Sequence, residues 1–188
     1  MPKRRVGLAR HRGVIYAAGD EKRLDDLQRE NAVAPGSEVP VMMALSRVAS
    51  GVPEEEVAKS LDWRDFERFC AQLLRANGYS VQENVHLRRP RAQLDLVATG
   101  PLYVINLDCK HWRRAPSYAA LRGFAQAQLN RSRLLRKSLG AGKPIVSAIL
   151  SFSESKGDFI EGVAVVPVRA VRNFLETVES YSDVLEAR

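Results

Sequence analysis

Two short runs limit what this chain can become: Gln93-Leu94-Asp95-Leu96-Val97-Ala98, and Tyr103-Val104-Ile105-Asn106-Leu107-Asp108-Cys109-Lys110-His111-Trp112. Both are rich in the apolar and branched residues that strands use, and only a turn separates them. They read as adjacent strands. Side chains alternate faces along a strand. Ile105, Leu107 and Cys109 therefore point one way, into a core, while Asn106, Asp108 and Lys110 share the other face. Asp95 stands mid-strand among Leu94, Leu96 and Val97. A buried sheet has no use for such charges unless something compensates them. Two carboxylates that share a hard cation, with a lysine beside them, make a small phosphodiester-cleaving apparatus. Asp-x-Lys is also a common solvated strand face, so the pattern needs support from elsewhere in the chain.

One support is an acid upstream. Residues 62–79 read as a helix that Asp62 caps, with Asp65 in the first turn near the positive dipole end and Gly78 as its stop. The expected apolar stripe runs through Trp63, Phe66, Cys70, Leu73 and Leu74. Glu67 lies on or beside that stripe, and no basic residue at 63 or 71 pairs with it. A carboxylate leaning toward the sheet can complete a metal site; the plain alternative is a glutamate at the edge of the core.

A second support is the charge map. The chain has 29 Lys and Arg against 22 Asp and Glu, a net charge of +7. After Asp108 no acid appears until Glu154, and the interval carries Lys110, Arg113, Arg114, Arg122, Arg131, Arg133, Arg136, Lys137 and Lys143. Arg88, Arg89 and Arg91 precede the first of the two strands, and five basic residues precede the first acid, Asp20. A basic field around carboxylates suits a polyanion held by its phosphates and cut at a cation. Arginine predominates, as bidentate phosphate contact favours.

A third support is element order. Tyr79, Val81 and Val85 mark a strand before the two described. Residues 116–139 read as a long helix with Leu121, Phe124, Ala125, Leu129 and Leu135 inside, ended by Gly140 and Gly142. Residues 145–150 and 162–168 read as buried strands, and 169–179 as a closing helix with Val171, Phe174, Leu175 and Val178 inside. The order is helix, three strands, helix, strand, strand, helix.

With these residues in this order, the chain resembles the PD-(D/E)xK nuclease superfamily over residues 60–170. Within it the nearest likeness is to Mrr-type restriction endonucleases and archaeal Holliday-junction resolvases. The resemblance implies an α/β fold: a restriction-endonuclease-like core with a central mixed sheet flanked by helices in αβββαβ order, here with an N-terminal helical extension. It implies catalytic roles for Glu67, Asp95, Asp108 and Lys110. Asp95, Asp108 and the Cys109 backbone carbonyl would hold Mg²⁺, which Mn²⁺ can replace, with Glu67 binding a second ion directly or through water. Lys110 would orient water or offset charge in the transition state. Leu94 stands where many relatives have Pro, and Asp108 is the shorter acid variant. A Gly-rich approach common in Mrr-like chains is replaced by Arg88-Arg89-Pro90-Arg91-Ala92-Gln93, which bears on substrate preference.

Other residues admit two readings each. Gln126 or Gln128 either reaches the site as an accessory group or is an exposed helix former. Trp112 either stacks on a base or caps the sheet. Arg131, Arg133, Arg136 and Lys137 either track a phosphate backbone, as Arg88, Arg89, Arg91, Arg113 and Arg114 would, or form a solvated face. His111 falls on the Cys109 face, where core packing is expected, and Cys70 and Cys109 read as small buried hydrophobes. Two cysteines and three histidines without paired spacing speak against structural zinc. No Gly-x-x-x-x-Gly-Lys-Ser/Thr loop is present, so no nucleotide cofactor is expected, and no run is long enough for a bilayer span. With few cysteines and no apolar export region, a cytoplasmic setting is expected.

Residues 1–60 are read as a basic arm and helical extension, 61–180 as the nuclease core, and 181–188 as a tail. The first 19 residues make either a basic arm or a short hairpin around Gly13. Residues 21–31 look helical, 34–37 form a linker, and 38–50 and 53–60 form two short helices. This region serves as a dimerisation element, a DNA-contacting appendage or a lid; nothing in it specifies which. Cutting both strands of a duplex or junction takes two sites, so a homodimer on DNA is expected. The functional expectation is a metal-dependent DNA endonuclease of restriction, repair or recombination. The alternatives are a non-catalytic nucleic-acid-binding protein that keeps the fold, and an RNA-processing nuclease.

Overall fold

The computed structural model describes residues 8–11, 14–17, 39–112, 115–140, 142–152 and 159–178. Arg113, Arg114, the expected helix at 21–31, the linker at 34–37 and the tail at 181–188 lie outside the described residues.

Near the N-terminus, β1 (Leu8–His11) pairs antiparallel with β2 (Val14–Ala17), the hairpin of the two readings for this segment. Two short helices follow, α1 (Val39–Ala49) and α2 (Glu54–Ala58). Val41, Ala44 and Val48 repeat at helical spacing, and they are buried in one cluster with Val57, Ala58 and Leu61. The same cluster takes in the helix α3 (Trp63–Ala76) and the sheet, so the boundary placed at 60/61 crosses a shared core.

α3 forms as its caps direct. The Asp62 carboxylate accepts the N–H groups of Arg64 and Asp65, both at 2.8 Å. Gly78 follows the C-cap Asn77 at a φ of +87°, a conformation that costs other residues their Cβ clearance. The buried face is Phe66, Phe69, Cys70, Leu73 and Leu74. Fully burying each of the larger ones contributes about 1.5–3 kcal/mol. Trp63 departs from the expected stripe: it is 56% exposed, at the first turn, with the Arg64 guanidinium 4.9 Å from its ring centre. The buried face of the helix begins at Asp65 and Phe66, so Trp63, at the first helical position, falls outside it.

The main sheet has six strands: β3 (Ser80–Arg88), β4 (Arg91–Thr99), β5 (Val104–Lys110), β6 (Ile145–Ser151), β7 (Phe159–Ile160) and β8 (Val163–Pro167). Their spatial order is β3-β4-β5-β6-β8-β7. β3, β4 and β5 form an antiparallel meander, whereas β5, β6 and β8 run parallel. The parallel step from β5 to β6 requires a crossover, supplied by α4 (Tyr118–Leu139), which Ser117 caps. A 3₁₀ turn over Val168–Ala170 leads into α5 (Val171–Thr177), whose Val171, Phe174 and Leu175 are buried as expected. This is the mixed sheet with helices on both faces, with one more short strand, β7, than the apolar runs indicate.

The two faces differ. On one, α1, α2, α3 and α5 share a continuous apolar cluster with Leu96, Ile105, Leu107, Val146, Ala148 and Leu150. Under α4 the apolar side chains split into two groups, one around Leu94, Val97, Leu135 and Ile145, the other around Ala125, Ile149, Val163 and Val165. Buried polar residues populate the same helix and strands: Asn106, Asp108, Gln128, Ser132 and Ser147. Buried polar groups of this kind persist when they bond one another or meet a ligand.

Candidate active site

β4 is interrupted at Asp95 on both sides. The β4–β5 ladder ends at Leu96 opposite Leu107. Where the next backbone pair would form, Asp95 Oδ2 accepts the Cys109 N–H at 2.9 Å instead. On the other side, the β3–β4 register passes from Glu83–Leu96 to Val85–Leu94, and Asn84, opposite Asp95, has a φ of +51°. The break exchanges faces. Val81, Leu96 and Ala98 pack with the α3 cluster, whereas Val85, Leu87 and Leu94 pack with Leu135 under α4. Residues two apart in a regular strand would have shared a face. Asp95 thus stands at the turning point of a hairpin arm that ends in Arg88 and Arg91.

β5 brings the other charges to this point. Asn106, Asp108 and Lys110 lie on the α4 face and Ile105, Leu107 and Cys109 on the α3 face, as alternation requires. The Asp108 side chain is 4% exposed, with Lys110 Nζ 2.9 Å from its Oδ2 and 3.1 Å from its Oδ1. The Phe124 ring centre lies 5.8 Å from Nζ, within reach of a cation–π interaction. Asp95 and Asp108 lie within hydrogen-bonding reach of each other. Burial and the Asp108 charge push the Asp95 carboxyl up, against the Cys109 N–H and Lys110, which pull it down.

Glu67 arrives from α3, half-buried. Its carboxyl is raised to about 7, first by burial and then by the charge of Asp95, with Lys110 opposing and Asp108 and Glu83 adding. β4 and β5 thus bring Asp95, Asp108 and Lys110 to one break in the sheet, and Glu67 on α3 is near enough to share their electrostatic field. A carboxylate whose pKa is raised by burial and then by neighbouring carboxylates is stabilised when a cation arrives beside it.

α4 supplies a residue that an apolar-only reading of that helix omits. Gln128, 1% exposed, donates to the Asn106 backbone carbonyl at 2.8 Å. Arg131 Nη1 lies 3.2 Å from Gln128 Oε1 and 3.3 Å from Asp108 Oδ1. Asn106 Nδ2 donates to Ser132 Oγ at 2.8 Å. The buried positions 125, 128, 132 and 135 keep the helical period. That spacing is the available signal for Gln128 and Ser132, masked because both are polar. Gln126, the other glutamine, is exposed. Arg131 turns inward onto Asp108, while Arg133 and Lys137 are exposed. Arg136 is partly buried.

The remaining candidates lie nearby. His111 stacks on Phe152 with ring centres 4.8 Å apart and meets Phe66 edge-on at 5.6 Å, a packing position. Trp112 leans on Phe124 at 5.2 Å, closing the sheet end. The Cys109 thiol is buried, and the Cys70 thiol beside it, with burial, pushes its pKa well up, which keeps it unreactive. A recess of about 700 Å³ lined by His86, Leu87, Arg88, Arg91, Ala92 and Gln93 lies on the hairpin arm, apart from the carboxylates.

No three His, Cys, Asp or Glu side chains among the described residues converge tightly enough to cage an ion alone. The donor set fits a hard divalent cation of another kind. Mg²⁺ is commonly held by one or two carboxylates with water and a substrate phosphate completing the shell. Asp95 and Asp108 supply two such carboxylates, and the buried Asp108 Oδ2 makes no well-directed hydrogen bond beyond its 2.9 Å ion pair with Lys110. The Cys109 carbonyl is the third donor on the same strand end.

The fold and this cluster define a restriction-endonuclease-like α/β domain of PD-(D/E)xK type. Residues 58–154 match the model of the Mrr catalytic domain, described as restriction endonuclease, and the chain belongs to that family. No curated protein matches. Among solved structures, a protein of unknown function, AF1548, is similar at 19% identity and a TM-score of 0.41, over 60% of this chain and 65% of that one. A complex of the restriction endonuclease PspGI with substrate DNA is similar at 14% identity and a TM-score of 0.36, over 76% of this chain and 62% of that one. The chain thus spans less than two thirds of either. No helix among the described residues is long and apolar enough to cross a membrane.

Proposed function

We propose that this chain is a metal-dependent DNA endonuclease that hydrolyses phosphodiester bonds. The observation that carries the reading is the abutment of the Asp95 and Asp108 carboxylates, with Lys110 2.9 Å from Asp108 and Glu67 close enough to feel all three. Asp95, Asp108 and the Cys109 carbonyl would hold Mg²⁺ or Mn²⁺, with Glu67 joining a second ion directly or through water. Such an ion, when bound, polarises a phosphate oxygen and makes water a better nucleophile. The chain's own groups do the rest. The Cys109 N–H fixes the Asp95 carboxylate against the end of β5. Lys110 places a positive charge beside the scissile phosphate, where it orients water or offsets the charge that builds in the transition state.

Substrate is held by charge around the cluster. Arg88 and Arg91 line the recess on the hairpin arm, with Arg89 at its turn. Arg133 and Lys137 stand exposed on α4. Guanidinium groups at such positions grip phosphates in two-pronged fashion. A symmetric dimer would place two sites on one duplex or junction, in the cytoplasm.

The test is cleavage of labelled linear duplex, single-stranded and four-way-junction DNA, with Mg²⁺, Mn²⁺ or EDTA, beside Asp108→Ala. Metal-dependent cutting that disappears in the mutant is the expected result. Tight binding without cutting under any metal would refute the nuclease and leave a binding protein.

A further inference from the structure

Arg131 touches the site, yet neither the acid-x-Lys pattern nor the family match assigns it a role. It approaches from α4 and places Nη1 3.3 Å from Asp108 Oδ1. Its position is determined from behind. Gln128, one turn earlier, is buried and anchored by its amide N–H to the Asn106 carbonyl of β5. The same glutamine presents Oε1 to Arg131 Nη1 at 3.2 Å. One guanidinium nitrogen thus bridges a fixed acceptor and a buried carboxylate.

Asp108 needs that partner. Its side chain is 4% exposed and abuts Asp95, and two carboxylates in one buried place are costly without cations. Lys110 covers both oxygens at 2.9 and 3.1 Å, and Arg131 adds a second positive charge on Oδ1. Oδ1 therefore has two cationic neighbours, Lys110 and Arg131, while the buried Oδ2 has Lys110 alone. A divalent ion entering this carboxylate meets a resident guanidinium of like sign, on one of the two oxygens it would use.

We propose that Arg131 is a positioning residue: an internal counter-ion that holds Asp108 in the metal-free protein and competes with the divalent cation for it, setting the metal affinity of the site. This rests on the nuclease reading above for the identity of the ion. Arg131 is part-exposed at 34%, so its guanidinium has solvent to move into when the ion arrives. Gln128 returns it when the ion leaves.

The experiment is Mn²⁺ binding without DNA, followed by calorimetry and by disappearance of the free-ion electron spin resonance signal. The full chain is compared with Arg131→Gln, Arg131→Met, Arg131→Lys and Asp108→Asn. Gln and Met are uncharged helix formers of similar length at a part-exposed position, so two independent variants guard against one that misfolds. Both should bind Mn²⁺ roughly fivefold to tenfold more tightly, since a unit charge a few ångströms from a dication is removed. Arg131→Lys, which keeps the charge, should remain near wild type. Unchanged or weaker binding in both neutral variants, with binding still abolished by Asp108→Asn, would overturn the counter-ion role alone. Wild-type protein that binds no Mn²⁺ in an Asp108-dependent way would overturn the metal site, and this role with it.

Discussion

The Asp95 carboxylate accepts the backbone N–H of Cys109 at 2.9 Å, so a side chain takes the place of a rung in the sheet. The bond does two jobs. It satisfies a strand N–H that β4 no longer reaches, and it sets the carboxylate beside the Cys109 carbonyl end of β5. The two can be separated. Asp95→Asn keeps an acceptor oxygen and removes charge that burial and Asp108 already disfavour, so its stability should equal or exceed that of wild type near neutral pH. Asp95→Ala leaves the Cys109 N–H unpaired and should lose about 1–3 kcal/mol. Urea unfolding of the two variants measures the difference, and both should fail to cut DNA.

Asp108→Ala and Lys110→Ala are expected to abolish cutting while leaving DNA binding largely intact, because phosphate contacts elsewhere carry affinity. Paired cleavage and binding assays on one labelled substrate decide it. Cutting at the wild-type rate by either variant would refute the site assignment.

Glu67 gives a pH signature. Its folded-state carboxyl is raised to about 7 from an ordinary 4.5, so the folded chain holds the proton more tightly than the unfolded chain. The associated stability is complete below about pH 4.5 and is lost as pH rises through 7. In metal-free buffer, Glu67→Gln should melt with wild type at pH 4 and above it at pH 8.5. Identical melting at both pH values would show that neither burial nor the carboxylate cluster raises the Glu67 carboxyl.

Gln128→Leu tests the polar groups under α4. The leucine fits a buried helix position but leaves the Asn106 carbonyl without its 2.8 Å partner and Arg131 without its support. A loss of about 1–3 kcal/mol in chemical denaturation is expected. A stability gain would mean that the face under α4 prefers to be wholly apolar.

The hairpin arm is tested by salt. Each phosphate that the protein no longer neutralises should reduce the slope of log K against log salt by about 0.9. Arg88→Ala with Arg91→Ala should therefore lower it by about 1.8, uniformly across DNA sequences. An unchanged slope would return both arginines to the solvent.

Sequence alone determined what is local or periodic. Asp62 and Gly78 bound α3, and two-residue alternation puts Asp108 and Lys110 on one face of β5. The order of helices and strands, with acid-x-Lys on the third strand, is enough to indicate the family. Tertiary structure decided what depends on neighbours far along the chain. The α3 period marks Trp63 as buried, yet it is exposed, and the buried face starts at Asp65 and Phe66. α1 and α2 are left in sequence as a dimerisation element, an appendage or a lid because nothing there says what their apolar faces meet; they meet the core of α3. In sequence Gln128 is either an accessory of the site or an exposed helix former and Arg131 either a phosphate contact or a solvated residue, and only the crossover from β5 to β6 lays them against Asn106 and Asp108. The place of Asp95 at a face-exchanging break needs both partner strands, since a ladder ends through hydrogen bonds between segments, not through the composition of either one.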